Sequence, residues 1–501
     1  VKDKWKYQID TWDELIKEGR GGQVRLDIVK VNRAEIPRRE LHRVANVARR
    51  VRLENWGMQL LYPIVRSENK EVFSSAEEIC EYSNALMEMG SLEEARNLLL
   101  AVNPREAPQT LLYLAFLDFR EWNSIGAGAH LRSYLKCPLD LYAQLVGQVN
   151  LAAALVQTPE WEEARGLLDH LELRARTEQR HLLLGNIFEL RAQLDIQIED
   201  WSAAARNLDQ SLKLLENSHH DSLLFTLKWK AVLGLKTSQK KSYDEIKEVQ
   251  LQARKMKLWE TVRDCDRHIA IDSQNAHLLN RLYHGTPFTH FRDLLLREFS
   301  RPGKLQEYFD WVGGRKNEPI RKVVDLGDWS GEGDAGQLTP GQLSHALISV
   351  LAADLYSPKK MGSLFGALFP NEYFNPVTSP EKVYKVVQRA RTWFLEKDLP
   401  MVIDQAHGYY RLRLGEGISM RLRASSKSTV RPNKIEHLVF YLQRVKQAGV
   451  SFSAKDLAAE LQISQRTVNR LLKEACEAEF VEQIGKGRST LFKLKNKELA
   501  A

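Results

Sequence analysis

The sequence predicts a mainly α protein: a long stack of helical hairpins followed by two small α+β modules. Three observations predict it. A short motif recurs through the first 300 residues, with an aromatic or leucine, a small residue three positions on, and then an apolar pair. Capped helices followed by an alternating hairpin occur over 338–414 and again over 453–494. The surplus positive charge lies at one end: residues 340–501 hold 25 Lys+Arg against 15 Asp+Glu, and the rest holds 48 against 50. A chain of 501 residues is too long for one core, so several domains are expected.

The recurring motif reads N-W-G-M-Q-L-L from Asn55, S-L-E-E-A-R-N-L-L from Ser91 and E-W-N-S-I from Glu121. It continues as E-W-E-E-A-R-G-L-L from Glu160, D-W-S-A-A-A-R-N-L from Asp200 and, more weakly, K-L-W-E-T-V-R from Lys257. The intervals are 36, 30, 39, 40 and 58 residues. Ala95, Ala164 and Ala204 stand where two helices would cross closely, a place that demands a small side chain. The helix before one copy is legible over 79–90 and ends at Gly90.

This pattern resembles the tetratricopeptide repeat, through the Gly90-to-Ala95 interval and the Glu-Glu-Ala run. The periods drift, most copies lack the turn glycine, and the family's proline is mostly missing. The resemblance implies a solenoid over 56–312 with a groove for a protein or peptide partner. Trp122, Trp161, Trp201 and Trp259 are read as packing between repeats rather than as a binding strip. His130, His170 and His181 are read as surface or packing residues. Residues 1–55 form an N-terminal helical cap. Within it Arg38, Arg39, Arg43, Arg49, Arg50 and Arg52 flank Leu41, Val44, Val47, Ala48 and Val51, an amphipathic helix with a basic face.

From 313 to 414 the expected order is a strand at 321–326 and an acidic loop with Gly327, Gly331, Gly333 and Gly336. Helices over 338–353, 359–368 and 379–397 follow, then a hairpin of 401–405 with 409–414. Ser357-Pro358 and Ser379-Pro380 are the caps, with proline at the first helical position. Leu338, Thr339, Pro340, the segment from Leu364-Phe365 to Phe369-Pro370, the helix over 383–395 and G-Y-Y-R-L over 408–412 resemble the winged-helix output domain of OmpR/PhoB-type response regulators and related antibiotic regulatory proteins. The resemblance implies a DNA-facing third helix. Val383, Val387, Ala390 and Phe394 form its inner stripe, leaving Lys382, Lys385, Gln388, Arg389 and Thr392 outside. No receiver domain with an acidic phosphorylation pocket is recognisable, so phosphotransfer is not the expected input.

Residues 415–433, with Arg421, Arg423, Ser425, Ser426, Lys427 and Ser428, are expected to be a flexible basic linker. The second module, 434–501, opens with a helix carrying Ile435, Leu438, Val439, Leu442 and Val445 on one side. Ser453 then caps a short helix, and Asp456 can complete a capping box. After a turn at 462–464, a helix from about Gln465 to Ala478 buries Val468, Leu471, Leu472 and Ala475. A basic hairpin over 480–494 closes the module.

The run L-A-A-E-L-Q-I-S-Q-R-T-V-N-R-L-L over 457–472 resembles DeoR- and MarR-like bacterial winged helices. That resemblance and the helix faces assign Gln465, Arg466 and Asn469 to base edges, and Ser464 and Thr467 to phosphates. Arg470 and Lys473 point outward, and Lys486 and Arg488 sit at the wing tip.

No P-loop, G-x-S-x-G, dinucleotide fingerprint or metal-ligand cluster occurs, so no enzyme, cofactor or metal is expected. Cys80, Cys137, Cys265 and Cys476 are scattered, and no secretory signal opens V-K-D-K-W, which leads to a cytoplasmic expectation. No apolar run spans a membrane. The expected function is a bacterial DNA-binding transcriptional regulator with a protein- or peptide-sensing repeat region. Double-stranded DNA is its partner, and a homodimer would engage more half-sites. The alternative is a non-enzymatic interaction scaffold whose winged helices dock proteins.

Overall fold

The computed structural model describes residues 4–69, 71–216, 221–299, 305–314, 319–326, 342–406, 408–424, 442, 451–460, 465–485 and 490–495. The chain is mainly helical, with helices in a repeat arrangement and small sheets toward the C-terminus. The array begins with α1 (Lys4–Lys17), α2 (Gly21–Ile28), α3 (Leu41–Arg50) and α4 (Glu54–Val65). It continues through α5 (Ala76–Met89), α6 (Leu92–Leu100), α7 (Gln109–Arg120), α8 (Ser124–Leu135), α9 (Leu141–Leu155) and α10 (Trp161–Thr177). Then come α11 (His181–Gln197), α12 (Trp201–Leu215), α13 (Asp221–Lys236), α14 (Ser242–Lys255), α15 (Trp259–Ser273), α16 (Ala276–His284) and α17 (Thr289–Glu298).

Local chemistry explains the hairpins. In α5, Ser75 Oγ accepts from the Glu78 N–H at 3.2 Å while Glu78 accepts from the Ser75 N–H at 2.8 Å, a complete capping box. Gly90 ends that helix at φ 88°. Later pairs keep the left-handed turn without glycine: Trp122 has φ 63°, Glu199 63° and Ser238 56°. The conformation survives where the glycine does not, at a cost of roughly 1 kcal/mol per turn. Ala95, Ala164 and Ala204 are wholly buried at the helix crossings, as their spacing predicts.

The sixth motif copy needs correction. Trp259 opens α15, which is the first helix of a new pair. The helix matching the earlier copies is α14, opened by Ser242 and Tyr243, with buried Ile246 in place of the small residue. That accounts for the interval of 58 residues. The reading failed because tyrosine replaced tryptophan and isoleucine replaced alanine.

The remaining elements are β1 (Phe309–Val312), β2 (Lys322–Asp325), α18 (Leu343–Ala352), β3 (Lys359–Lys360), α19 (Met361–Leu368), α20 (Ser379–Glu396), β4 (Met401–Ala406) and β5 (Tyr409–Leu414). They are followed by β6 (Ile418–Leu422), β7 (Ser451–Ser453), α21 (Ala454–Glu460), α22 (Gln465–Glu477), β8 (Val481–Ile484) and β9 (Leu491–Leu494). Two compact units result. One contains Val1–Glu307, Asp354–Gly366 and Glu372–Glu381. The other contains Tyr308–Ala353, Ala367–Asn371 and Lys382–Ala501.

In the second unit β6 is the middle strand of a sheet, antiparallel to β1 (Phe309↔Leu422) and parallel to β2 (Lys322↔Ile418). This corrects the first part of the linker expected at 415–433, of which residues 425–433 lie outside the described residues. Ile418, Met420 and Leu422 alternate and are buried, and Arg421 and Arg423 pair with Asp310 and Asp325. It also moves the boundary expected at 312/313 to 307/308, because β1 belongs to this sheet. The helix expected from 359 begins at Met361, after the short strand β3. The β4–β5 hairpin runs from Met401↔Leu414 to Ala406↔Tyr409, with Gly408 at φ 78° in its tight loop. The C-terminal sheet has the order β7-β9-β8 and is antiparallel throughout. The glycine loop at 327–336, the residues 338–340, the Ser/Lys run at 425–428 and the helix expected from Ile435, save Leu442, lie outside the described residues.

Candidate nucleic-acid interface

The C-terminal module is built around α22. Val468, Leu471, Leu472 and Ala475 pack on Leu442, Phe452, Leu457, Val481, Phe492 and Leu494. Helix α21 starts at a serine cap: Ser453 Oγ accepts from the Asp456 N–H at 3.1 Å and donates to the Asp456 carboxylate at 2.7 Å. With its apolar stripe buried, α22 presents Gln465, Arg466, Asn469, Arg470 and Lys473 exposed, and Thr467 half-buried. Arg470 reaches Glu474 at 3.2 Å and Lys473 reaches Glu477 at 3.9 Å, both one turn along the same helix. Such exposed pairs contribute only about 0.3–0.5 kcal/mol, so they yield readily to a stronger partner. Hairpin β8–β9 follows and turns at Gly485, φ 83°. Ser464, Lys486 and Arg488 lie outside the described residues.

Helix α20 repeats the arrangement. Val383, Val386, Val387, Ala390 and Phe394 are buried, while Lys382, Lys385, Gln388, Arg389 and Thr392 are exposed. Arg391 donates to the Ile403 carbonyl at 2.8 Å, which ties the helix to β4. The Lys382 ammonium lies 5.7 Å from the centre of the Phe369 ring.

The N-terminal basic face is different. Arg38 pairs with Glu78, Arg39 with Glu40, Arg43 with Asp10 and Glu40, Arg49 with Glu81, and Arg50 with Asp13. Arg38 and Arg49 tie the cap to α5, and the other three pair within the cap.

Within the array an open, mostly apolar groove of about 560 Å³ lies between α9 and α11. Tyr142, Val146, Val149, Arg180, His181 and Leu182 are among its lining residues. Trp122 does pack: its Nε1 donates to Glu260 at 2.8 Å, and its ring meets Phe291 edge-on at 4.8 Å. Trp201 and Trp259 are half-buried. Trp161 is 39% exposed, so the packing reading does not hold for it. His130 sits 3.6 Å from Asp118, and His170 and His181 are exposed.

Sequence reasoning missed the charged heart of the array. The run R-D-C-D-R-H over 263–268 in α15 drew no expectation from the sequence, and every member is buried. Asp264 accepts from Lys228 at 2.7 Å and from Arg267 at 2.8 Å. Burial alone would raise the Asp264 pKa, but Arg267, Lys228 and His268 hold it well below the carboxylate range. Burial pushes His268 well below its usual value, with Arg267 adding to the effect. Burial also lifts Glu189 to about 7, against opposition from Lys228 and a hydrogen bond from Gln193. Five charged or polar residues around one cysteine, with no exposed-face alternation, were the available signal.

Among the described residues no group of His, Cys, Asp and Glu is arranged to hold a metal ion, and no helix is long and apolar enough to cross a membrane. No protein-family profile matches the sequence, and no curated protein matches it. The apo form of RapI, known from a crystal structure, is among the solved structures that match. The identity is 12%, with 60% of this chain and 99% of that chain covered and a TM-score of 0.38. A superposition that loose does not bear on function.

Proposed function

We propose that this chain is a DNA-binding transcriptional regulator, without enzymatic activity, whose helical repeats receive a protein or peptide partner. The observation that carries the reading is α22. Its apolar side is buried in its own module, its outer side offers Gln, Arg and Asn at the helix start, and an antiparallel hairpin follows directly. In a winged helix, Gln465, Arg466 and Asn469 would enter the major groove, and the β8–β9 tip would lie along the neighbouring backbone. Arg470 and Lys473, one to two turns on, are suited to phosphates. Helix α20, with Lys382, Lys385, Gln388 and Arg389 outward, would be a second reader. Two readers on one chain raise affinity through effective concentration, without new contacts.

The test is binding of the full chain to duplex DNA fragments across a range of salt. Affinity should fall linearly on a log–log plot, with a slope of about −0.9 for each phosphate neutralised. Salt-insensitive binding, or none, overturns the proposal. A protein-docking scaffold is the second reading. It is favoured by Glu482 and Ile484, exposed on β8, and by Glu477 near the end of α22. An acidic and apolar outer surface suits a protein better than a phosphate backbone.

A further inference from the structure

Residues 354–366 and 372–381 belong to the same compact unit as the helical array, although Asp354 lies 56 residues beyond the end of α17. The array receives them at two places.

At the first place, the Arg263 side chain of α15 is wholly buried. Its Nη2 donates to both carboxylate oxygens of Asp354, at 3.0 and 3.2 Å, and its Nη1 donates to Thr286 at 2.7 Å. The guanidinium lies 5.1 Å from the ring centres of both Phe288 and Tyr356. Tyr356, two residues past the aspartate, donates its hydroxyl to Asp266 at 2.9 Å. The backbone N–H groups of Tyr356 and Ser357 both donate to Asp354 at 3.0 Å, so the segment forms its own tight turn around the carboxylate.

At the second place, the α5–α6 turn offers main-chain acceptors. Lys360 donates to the Glu88 carbonyl at 2.7 Å, and Ser363 donates to the Gly90 carbonyl at 2.9 Å. The backbones approach so closely that a Cβ on Gly362 would lie 2.6 Å from the Met89 carbonyl oxygen. A desolvated arginine fork for a carboxylate, an acid for a tyrosine hydroxyl and free carbonyls for a chain in passing are the devices by which proteins recognise peptides.

We infer that Arg263, Asp266 and the α5–α6 turn form a peptide-recognition surface of the array, filled in cis by the chain's own Asp-Leu-Tyr segment. The partner that this surface receives is a peptide carrying aspartate two residues before tyrosine, which competes with that segment. The inference rests on the reading of the repeats as a partner-receiving region and names the partner's chemistry. Charge complementarity supports it: a neutral residue in place of Asp354 would leave the Arg263 guanidinium in the interior with Glu260, itself 43% exposed, as its remaining acid.

The experiment uses the full chain and a fluorescent synthetic peptide of residues 352–366. Wild type is compared with Gly362→Ala, which pries off the chain's own segment while leaving Arg263 intact, and with the milder Ser363→Ala. Amide hydrogen exchange is followed over 354–366. In the variants exchange at 354–366 should speed up while α15 stays protected, and the peptide should bind at least about tenfold more tightly than to wild type. A peptide with Asp354→Asn should lose about tenfold or more in affinity.

Two outcomes overturn the proposal. One is a peptide that binds neither variant, with 354–366 exchanging only when α15 does, which makes the segment a fixed part of the fold. The other is an Asn peptide that binds as well as the Asp peptide. No DNA enters the assay, so failure of the gene-control reading leaves it interpretable. A partner found instead on the α9–α11 groove would keep the receiving role and remove this site.

Discussion

The helical array and the C-terminal module use the same side chains in opposite ways. In the array Lys228 and Arg267 are buried, and each meets carboxylates from another part of the chain or from its own helix. In the module Arg466, Arg470 and Lys473 stand in water, and the last two reach along their own helix to Glu474 and Glu477. A cation desolvated against an acid is committed to the fold, since separating the pair leaves a bare charge in the interior. A cation on an outer helix face, above a fully buried apolar stripe, contributes little to stability and is available to a partner. Position, not residue type, separates structural charge from functional charge. Arg43, Arg49 and Arg50 of the N-terminal basic face make the same point, meeting Asp10, Asp13, Glu40 and Glu81.

The contrast breaks most visibly at Asp264. Asp264→Ala strands Lys228 and leaves Arg267 with Glu298 as its acid, and denaturant unfolding should show a loss of about 3–5 kcal/mol. A loss below about 1 kcal/mol would mean that the buried charges do not hold the array together.

Glu189 sharpens the comparison through pH. Its carboxyl, raised by burial from 4.5 to about 7, keeps its proton in the folded chain where the unfolded chain has released it. The folded state therefore binds more protons between these values, and stability falls as pH rises from 4.5 to 7. Glu189→Gln should remove that slope. It should match wild type near pH 4 and exceed it by roughly 3 kcal/mol at pH 8, measured by urea unfolding at each pH. An unchanged pH profile would show that Glu189 ionises without penalty.

On the exposed side, Arg466→Ala with Arg470→Ala should shift stability by no more than about 0.5 kcal/mol. The same double variant should weaken duplex DNA binding by roughly 1–3 kcal/mol. Unchanged DNA affinity with intact folding would favour the scaffold reading. The smallest effect belongs to Lys473→Ala. Its unfolding curve should overlay that of wild type, and the salt dependence of DNA binding should flatten by about 0.9 in slope.

Much of the helical layout was legible from local chemistry. The Val468, Leu471, Leu472 and Ala475 stripe, the Ser453 cap and the outward set on α20 follow from periodicity of 3.6 and from capping, which act over a few residues. The alanines at the helix crossings were legible because close approach admits little else. Trp161 was misjudged because an aromatic at a repeat position says nothing about whether a neighbour covers it. The β6 strand was hidden by its arginines, although Ile418, Met420 and Leu422 already alternated.

By itself, the sequence determined which stretches become helices in most of the chain, where many of them start and stop, and which face of α20 and α22 turns inward. These outcomes depend on neighbours within one or two turns. The tertiary structure alone decided that Phe309–Val312, Lys322–Asp325 and Ile418–Leu422 share a sheet, that the charged run of α15 is interior, and that Asp354 is the partner of Arg263. Each of the last two facts depends on groups far apart in sequence or on a whole surrounding shell, and the sheet joins strands about a hundred residues apart. A strand's distant partner or a buried charge's counter-ion leaves no trace in local periodicity. Only the folded chain, by excluding water from both groups at once, makes the pairing favourable.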